Sequence, residues 1–425
     1  MNMKNIIIIP AIVVFFFFSD NRLAAQDSTF TIGGYLQYDN VSYFNKQEGK
    51  INSRNEGLLQ LTAGSGSGNR IQWKAIMELR EDLSDENRNR IWLDELWMKQ
   101  RVGIADITFG KQIIAWGTAD GYNPVDNLNP VDYSDLLDTD DEIIGIYSIR
   151  TQLFFKSADI DFVWVPAGSY GKLPDISSRW FPPVNTLGIP QELLVSGMDI
   201  SVKNYVPELT LESGEAAIRL RKRFSGFDAG LSYYNGYDHL PEYILDSTYL
   251  TQQEPKLVFD EVLYRQQVVG AEMVIVLPYG MSLRSEAAYF IPEKDKPYRN
   301  EYIQMITGID KTFSVGTGSL TSIIEYIHDF RINGEPYAML DTRHIFTNTL
   351  LTNFELTLNN GFSFNLVSIY NMDGNDYVLM PEINYLTTGG LKFIVMANIL
   401  EGSNNTFMGS YSFNDRIQCK MSFSF

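Results

Sequence analysis

Apolar and polar residues alternate along much of the chain with a period of two. In residues 70–80, one face carries Ile71, Trp73, Ala75, Met77 and Leu79. The last segment alternates in the same way, and its apolar face carries Ile417, Cys419, Met421, Phe423 and Phe425. Because successive side chains of a β-strand point to opposite faces, these segments predict strands with one apolar face and one wet face.

Alternating segments of about 10 residues that continue to the C-terminus are typical of a transmembrane β-barrel. Glycine-rich stretches at residues 64–68, 359–361 and 388–390 predict short hairpin turns between such strands. The count is about 16 strands, within a range of roughly 14–18, which leaves an aqueous lumen. The sequence therefore predicts an all-β fold, a transmembrane antiparallel β-barrel with a folded-in loop. A secreted soluble β-sandwich, propeller or solenoid is the alternative, since these folds also alternate.

The N-terminus predicts a secretory signal peptide. Lys4 precedes an unbroken apolar run from Ile6 to Phe18, and the small residues Ala24 and Ala25 follow. An apolar run of about 13 residues is too short for a helical membrane span of about 20. We expect cleavage after Ala25, with residues 1–25 as the signal peptide and residues 26–425 as a single barrel in the outer membrane of a Gram-negative cell.

The charge balance excludes some functions. The chain has 34 Lys and Arg against 52 Asp and Glu, a net charge of -18, which argues against nucleic-acid binding. The single cysteine, Cys419, excludes an internal disulfide and a multi-cysteine metal site. Aromatic residues make up 13% of the chain and fit a lipid-facing belt. We predict no cofactor and no resident metal.

Three insertions interrupt the alternation, near residues 116–142, 167–195 and 237–254. The first contains a Trp-Gly pair and two Asn-Pro-Val-Asp copies, whose Asn, Pro and Asp residues favour turns. Loops of this length inside a compact fold are usually functional. We predict that this loop folds into the barrel as a constriction, with a plug on the periplasmic side as the alternative. The residues of the predicted constriction are Trp116, Asn123, Asp126, Asn129 and Asp132.

The same insertion carries the acidic run Asp135, Asp138, Asp140, Asp141 and Glu142. Clustered carboxylates are ligands that Ca²⁺ accepts, so this run is a candidate cation site. The spacing matches no defined Ca²⁺ loop, so we favour a solvated acidic loop and keep the Ca²⁺ site as the alternative.

Charged residues on the predicted wet faces are candidates for solute selectivity. Arg219, Arg221 and Arg223 alternate along one strand and predict a ladder of guanidinium groups that handles anionic groups. In the alternative, the lumen charges pair with each other and simply maintain a wet interior. The predicted lumen residues are Arg219, Arg221, Arg223, Lys74, Glu78, Arg284, Glu286, Glu325 and Asp329.

Catalysis is not expected. An acyl-transfer site needs a nucleophile and a base within hydrogen-bond reach, and the sequence has no Gly-x-Ser-x-Gly motif. His239 and His344 lie near predicted loop ends, and His328 falls on an aromatic, lipid-facing side. We predict no catalytic residue.

Several sequence blocks carry a resemblance to known barrels. They are Gly110-Lys111-Gln112 with Trp116-Gly117 and the Asn-Pro-x-Asp turns, residues 214–220, residues 230–238 and residues 283–289. Together they resemble an uncharacterised family of outer-membrane barrels known only as a domain of unknown function. That resemblance implies a barrel paired with export machinery for lipids or other hydrophobic molecules. A looser likeness, at the Gly-Arg/Lys-Gln strand end, links the chain to alginate-export and substrate-selective porin barrels.

Three functions follow from these observations. The first is transport, with export or passage of hydrophobic or amphipathic molecules and a periplasmic or inner-membrane efflux partner. The second is a general or substrate-selective diffusion porin, and the third is a structural or adhesion barrel. The terminal Phe425 resembles the assembly signal of outer-membrane barrels, so the expected partners also include the barrel assembly machinery and outer-membrane lipids.

Overall fold

The chain forms a closed antiparallel β-barrel. The computed structural model describes residues 30–47, 50–66, 70–138, 143–182, 200–204, 210–246, 249, 256–293, 300–332 and 344–425. Within these ranges, eighteen strands pair each with its neighbour, and the first strand closes the ring by pairing with the last. The predicted signal peptide lies outside the described residues. None of the helices in these ranges has the length and apolar composition of a membrane span.

The strands follow the chain in order. They are β1 Phe30–Tyr43, β2 Ser53–Ser65, β3 Ile71–Asp82, β4 Arg90–Val102, β5 Ala105–Gln112, β6 Ile146–Phe154, β7 Ala158–Val165, β8 Ile200–Asn204, β9 Glu215–Arg223, β10 Phe227–Tyr237, β11 Glu242–Leu245, β12 Leu257–Val262, β13 Arg265–Leu277, β14 Met281–Pro292, β15 Tyr302–Val315, β16 Gly318–Arg331, β17 Asn348–Thr357, β18 Phe362–Asn371, β19 Asp376–Leu386, β20 Leu391–Glu401 and β21 Arg416–Ser424. β8, β11 and β12 form a separate small sheet, and the other strands form the barrel. The helical segments are short: Glu86–Arg88, Leu211–Ser213, Pro278–Gly280, Phe407–Ser410 and Ser412–Asn414.

The predicted β-barrel is confirmed, but it has eighteen strands in the described residues rather than about 16. The number of alternating segments in the sequence is smaller than the number of strands, because some strands lose the period of two near one end. Val163 and Val165 of β7 are buried towards the interior, while Trp164 between them points outwards, so both faces are apolar there. A run that is apolar on both faces does not register as an alternating segment.

The alternation elsewhere separates a lipid-facing exterior from a polar interior. On β3, Trp73 and Met77 are each 38% exposed on the outside, whereas Glu78 is 1% exposed inside. On β21, Cys419 lies on the outer face, as predicted. The C-terminal Phe425 continues this strand, and its backbone exchanges hydrogen bonds of 3.0 and 3.1 Å with Gly34 of β1.

Short and long connections lie at opposite ends of the barrel. The end that holds the two termini has short turns, such as the one between β17 and β18 and the one between β19 and β20. Three long connections emerge at the other end. They are the inner loop (residues 113–145), the second loop (residues 166–214) and the third loop (residues 238–264), and parts of each lie outside the described residues.

Candidate functional site: a plug of three loops inside the barrel

The inner loop is seated inside the barrel, against the middle of the wall. Two lumen glutamates accept four consecutive backbone N–H groups, those of residues 118–121. Glu286 on β14 accepts from Thr118 and from Ala119, the latter at 2.8 Å. Glu325 on β16 accepts from the next two amides at 2.9 and 3.0 Å. Hydrogen bonds to an ionised acceptor are about twice as strong as neutral ones, so this glutamate pair anchors the first half of the loop.

An apolar core fills the space between this half of the loop and the wall. The loop contributes Ile114, Trp116, Val125 and Leu128. The wall contributes inward-facing residues of β6 to β15, namely Ile146, Val163, Val165, Ala217, Tyr234, Val268, Ala288, Phe290 and Tyr302. The indole N–H of Trp116 donates to Asp161 of β7 at 3.2 Å. The period of two did not predict these wall residues, although they lie in stretches of strand with apolar residues on both faces.

The two Asn-Pro-Val-Asp copies shape the loop, the first by a turn and the second by hydrogen bonds between its two limbs. The N–H of Asp126 donates to the carbonyl of Asn123 at 3.0 Å, which closes the first turn. Asn129 joins the two limbs of the loop, since its side chain accepts from the Ile114 N–H and donates to the Ile144 carbonyl, both at 2.8 Å. The repeated motif therefore builds the hairpin-like shape that carries Trp116 into the lumen.

The tip of the inner loop is held on the opposite wall by ion pairs. Asp135 lies 2.8 Å from Arg54 of β2 and 2.5 Å from Arg416 of β21. Asp138 lies 3.3 Å from both Arg54 and Arg88. Burial by itself would raise the pKa of Asp135, but the guanidinium groups of Arg416 and Arg54 hold that pKa well below its usual range.

This arrangement changes the interpretation of the acidic run. Asp135 is buried in ion pairs and Asp138 is partly buried in them, so neither is a solvated residue. Asp140, Asp141 and Glu142 lie outside the described residues. Among the residues that the structure describes, no cluster of three or more His, Cys, Asp or Glu side chains forms a metal site.

The three long loops meet at Gly171. The Gly171 N–H in the second loop donates to the His239 carbonyl in the third at 2.7 Å. The next residue, Lys172, donates to the Val131 carbonyl of the inner loop at 3.0 Å and accepts from the Tyr133 N–H at 2.7 Å. The described parts of the three loops therefore form one body inside the mouth of the barrel, which we call the plug.

His239 fixes the third loop to the barrel wall. Its Nε2 lies 2.9 Å from the Glu215 carboxylate of β9 and 3.1 Å from the Tyr234 hydroxyl of β10, and all three side chains are buried. Burial opposes protonation of the imidazole, but the Glu215 carboxylate raises the pKa of His239 overall.

Arg179 joins the second loop to two further connections at the same end of the barrel. The Arg179 side chain in the second loop donates to Asn414 at 2.9 Å, to Asn52 at 2.8 Å and to the Asn45 carbonyl at 2.8 Å, so it ties three connections together. The adjacent apolar cluster comprises Trp180, Val378, Leu400, Met408 and Tyr411. These residues carried no signal in the sequence, because each is an isolated position in a loop or at a strand end.

The predicted arginine ladder lies on the inner face of β9. Arg219 pairs with Glu272 of β13 and is largely buried. Arg221 and Arg223 share one carboxylate, Asp159 of β7, at 3.3 and 2.8 Å, and their side chains are 40% and 41% exposed. The ladder is therefore paired along the wall, and Asp228 of β10 is directly opposite Arg223 in the strand register.

The other predicted lumen residues also pair with neighbours on the wall or in the loops. The pairs are Lys74 with Glu95 at 2.6 Å, Glu78 with Arg80 at 3.1 Å and with Arg90 at 3.0 Å, Arg284 with Asp310 at 2.7 Å, and Asp329 with His344 at 2.8 Å. Asp132 of the inner loop pairs with Arg90 at 3.2 Å. Their selectivity role remains a prediction, as does that of the constriction residues.

Solved structures of similar fold include porin-type outer-membrane β-barrels. OccK3 (OpdO) of Pseudomonas aeruginosa is 13% identical with a TM-score of 0.52, over 93% of this chain and 95% of that chain. OccAB4 of Acinetobacter baumannii is 11% identical with a TM-score of 0.51, over 95% and 99%. OccK5 (OpdH) of Pseudomonas aeruginosa is 11% identical with a TM-score of 0.50, over 93% and 97%. At these identities the likeness establishes the fold.

No protein-family model and no curated protein sequence matches the chain. The resemblance to the uncharacterised outer-membrane family, with its link to lipid export, therefore remains a prediction.

Proposed function

We propose that the protein is a substrate-selective diffusion channel of the outer membrane, in which the plug sets the width of the passage. One observation carries this proposal. The inner loop lies inside a closed barrel and is anchored on two opposite walls, by the glutamate pair on one side and by the ion pairs of Asp135 on the other. A loop fixed in this way narrows the lumen at a defined depth.

The similar structures favour this function over export of hydrophobic molecules, because their barrels are porin-type. A transport role also agrees better with those neighbours than catalysis does. Localisation in the outer membrane is supported by the fold and by the apolar exterior. The proposal also includes signal-directed export, insertion by the barrel assembly machinery, contacts with outer-membrane lipids and a periplasmic partner.

The lumen charges suggest small polar, charged solutes. Arg221 and Arg223 are partly exposed and share the Asp159 carboxylate, and Asp228 of β10 is opposite Arg223, so this part of the wall presents both signs of charge to a solute. Fixed charges that line a pore set its ion preference. A general porin would show little preference among small ions, so the ion preference distinguishes a substrate-selective channel from a general porin.

Single-channel recording in planar bilayers tests the proposal. Replacing both anchors, Glu286→Ala with Glu325→Ala, removes the acceptors of four loop amides, so the inner loop loosens and the conductance step increases. The control is Glu382→Ala, which removes a lumen carboxylate of β19 whose neighbour is Asn384. If the double variant and the wild type give equal conductance, the plug does not limit passage and the proposal is wrong.

A further inference from the structure

Carboxylates outnumber cations where the inner loop meets the wall. Within the described residues, the acidic groups at this contact include Asp120 and Asp126 of the loop, Asp161 of β7, Glu215 of β9, Glu272 of β13, Glu286 of β14, Asp310 of β15 and Glu325 of β16. The cationic groups at it include Arg150 of β6, which pairs with Asp161, Arg219 of β9, Arg284 of β14 and the His239 imidazole, which pairs with Glu215. We call Asp120, Asp126, Glu272, Glu286, Asp310 and Glu325 the carboxylate cluster.

Some oxygens in this cluster are buried and have no hydrogen-bond partner among the described residues. They are Asn123 Oδ1, Asp126 Oδ1 and Glu286 Oε2. Two of these side chains converge on Gly117, because a Cβ at that position would lie 2.5 Å from Asn123 Oδ1 and 2.9 Å from Glu286 Oε1. A buried acceptor without a donor is costly, and a proton on one carboxylate would supply a donor in such a place.

The loop residues of the cluster hold protons more readily than free side chains do. Burial raises the pKa of Asp126 from 3.8 to about 7, and the nearby Glu286 carboxylate adds to this increase. Burial also raises the pKa of Asp120. Both effects depend on the loop being seated, because outside the lumen these carboxylates would be solvated.

We propose that acidification locks the plug: the loop carboxylates of the cluster, Asp120 and Asp126, take up protons when the inner loop is seated, so that the closed position becomes more stable as pH falls. The sign follows from linkage, since the state that binds more protons is favoured by acid. The seated state binds more protons at Asp126 between its ordinary and its raised pKa. The His239 imidazole acts in the same direction, because its pKa is also raised in the seated state.

The ion-pair anchor on the opposite wall does not oppose this effect. The pKa of Asp135 is lowered by Arg416 and Arg54, so this carboxylate stays ionised through the range in which Asp126 titrates. The tip of the loop therefore remains attached while the loop carboxylates of the cluster gain protons. The proposal rests on the proposed function, since it concerns the same plug.

The experiment records single channels of the full-length protein at two pH values. From about pH 8 to about pH 6, the titration of Asp126 alone predicts an increase of about tenfold in the ratio of closed to open time. Asp126→Asn removes this titration, so its closed-to-open ratio changes much less over the same range. The matched control, Glu382→Gln on β19, keeps the full pH dependence, and a heat-dependent gel shift verifies that each barrel is folded.

Two results would overturn the proposal: a wild-type ratio that is independent of pH, or an Asp126→Asn variant with the full wild-type dependence. The Glu286→Ala, Glu325→Ala double variant distinguishes failure of the proton lock from failure of the proposed channel function. If the double variant raises the conductance while the wild-type ratio is independent of pH, only the proton lock fails. If it leaves the conductance unchanged, the proposed function fails as well.

Discussion

Gly171 offers a sharp test of the plug, because a single methyl group at that position collides with two loops. A Cβ there would lie 2.7 Å from the His239 carbonyl oxygen and 2.7 Å from the Val131 carbonyl oxygen. Both obstacles are backbone atoms, which cannot move aside as a flexible side chain can. The substitution Gly171→Ala therefore separates the second loop from the third loop and from the inner loop.

The expected cost has two parts. The hydrogen bonds from the Gly171 and Lys172 N–H groups are lost, at about 1 kcal/mol each. Steric overpacking adds about 1–3 kcal/mol. Even the low end, about 3 kcal/mol, shifts the balance between seated and released plug by roughly a hundredfold.

Planar-bilayer recording measures this shift as a larger or more frequently open conductance. Limited proteolysis of the folded barrel measures it independently, as faster cleavage within the second loop. Gly57→Ala is the matched control, because a Cβ at Gly57 has no atom within 4 Å. If Gly171→Ala behaves like Gly57→Ala in both assays, the three loops do not act as one body and the reasoning is refuted.

Two further substitutions test other parts of the site. Asp135→Asn leaves two buried guanidinium groups without their shared charge, at a cost of about 3–5 kcal/mol, so a protease should cut the inner loop of the folded barrel; an uncut loop contradicts the anchor. Asp159→Asn removes the carboxylate shared by Arg221 and Arg223, so the reversal potential in a KCl gradient should move towards anion preference, and an unchanged potential would remove the ladder from the selectivity mechanism.

The sequence by itself determined the barrel and much of its orientation. The period of two assigns each strand residue to the lipid or to the lumen, because a strand can present only two faces. The placement of Glu286 and Glu325 inside, and of Cys419 outside, followed from this rule alone. The insertion around Trp116 was also visible, because turn residues and length set it apart from the strands.

The tertiary structure alone decided what the insertions do. Gly171, Val131 and His239 lie in three different loops, and nothing in their local sequence shows that their backbones meet. The local sequence indicates that Asp135 belongs to a solvated acidic run, whereas the fold places Arg54 and Arg416 beside it. Periodicity reports how a residue relates to its own strand, whereas these contacts join segments far apart in the chain. Only closure of the barrel brings the two walls within reach of the same loop.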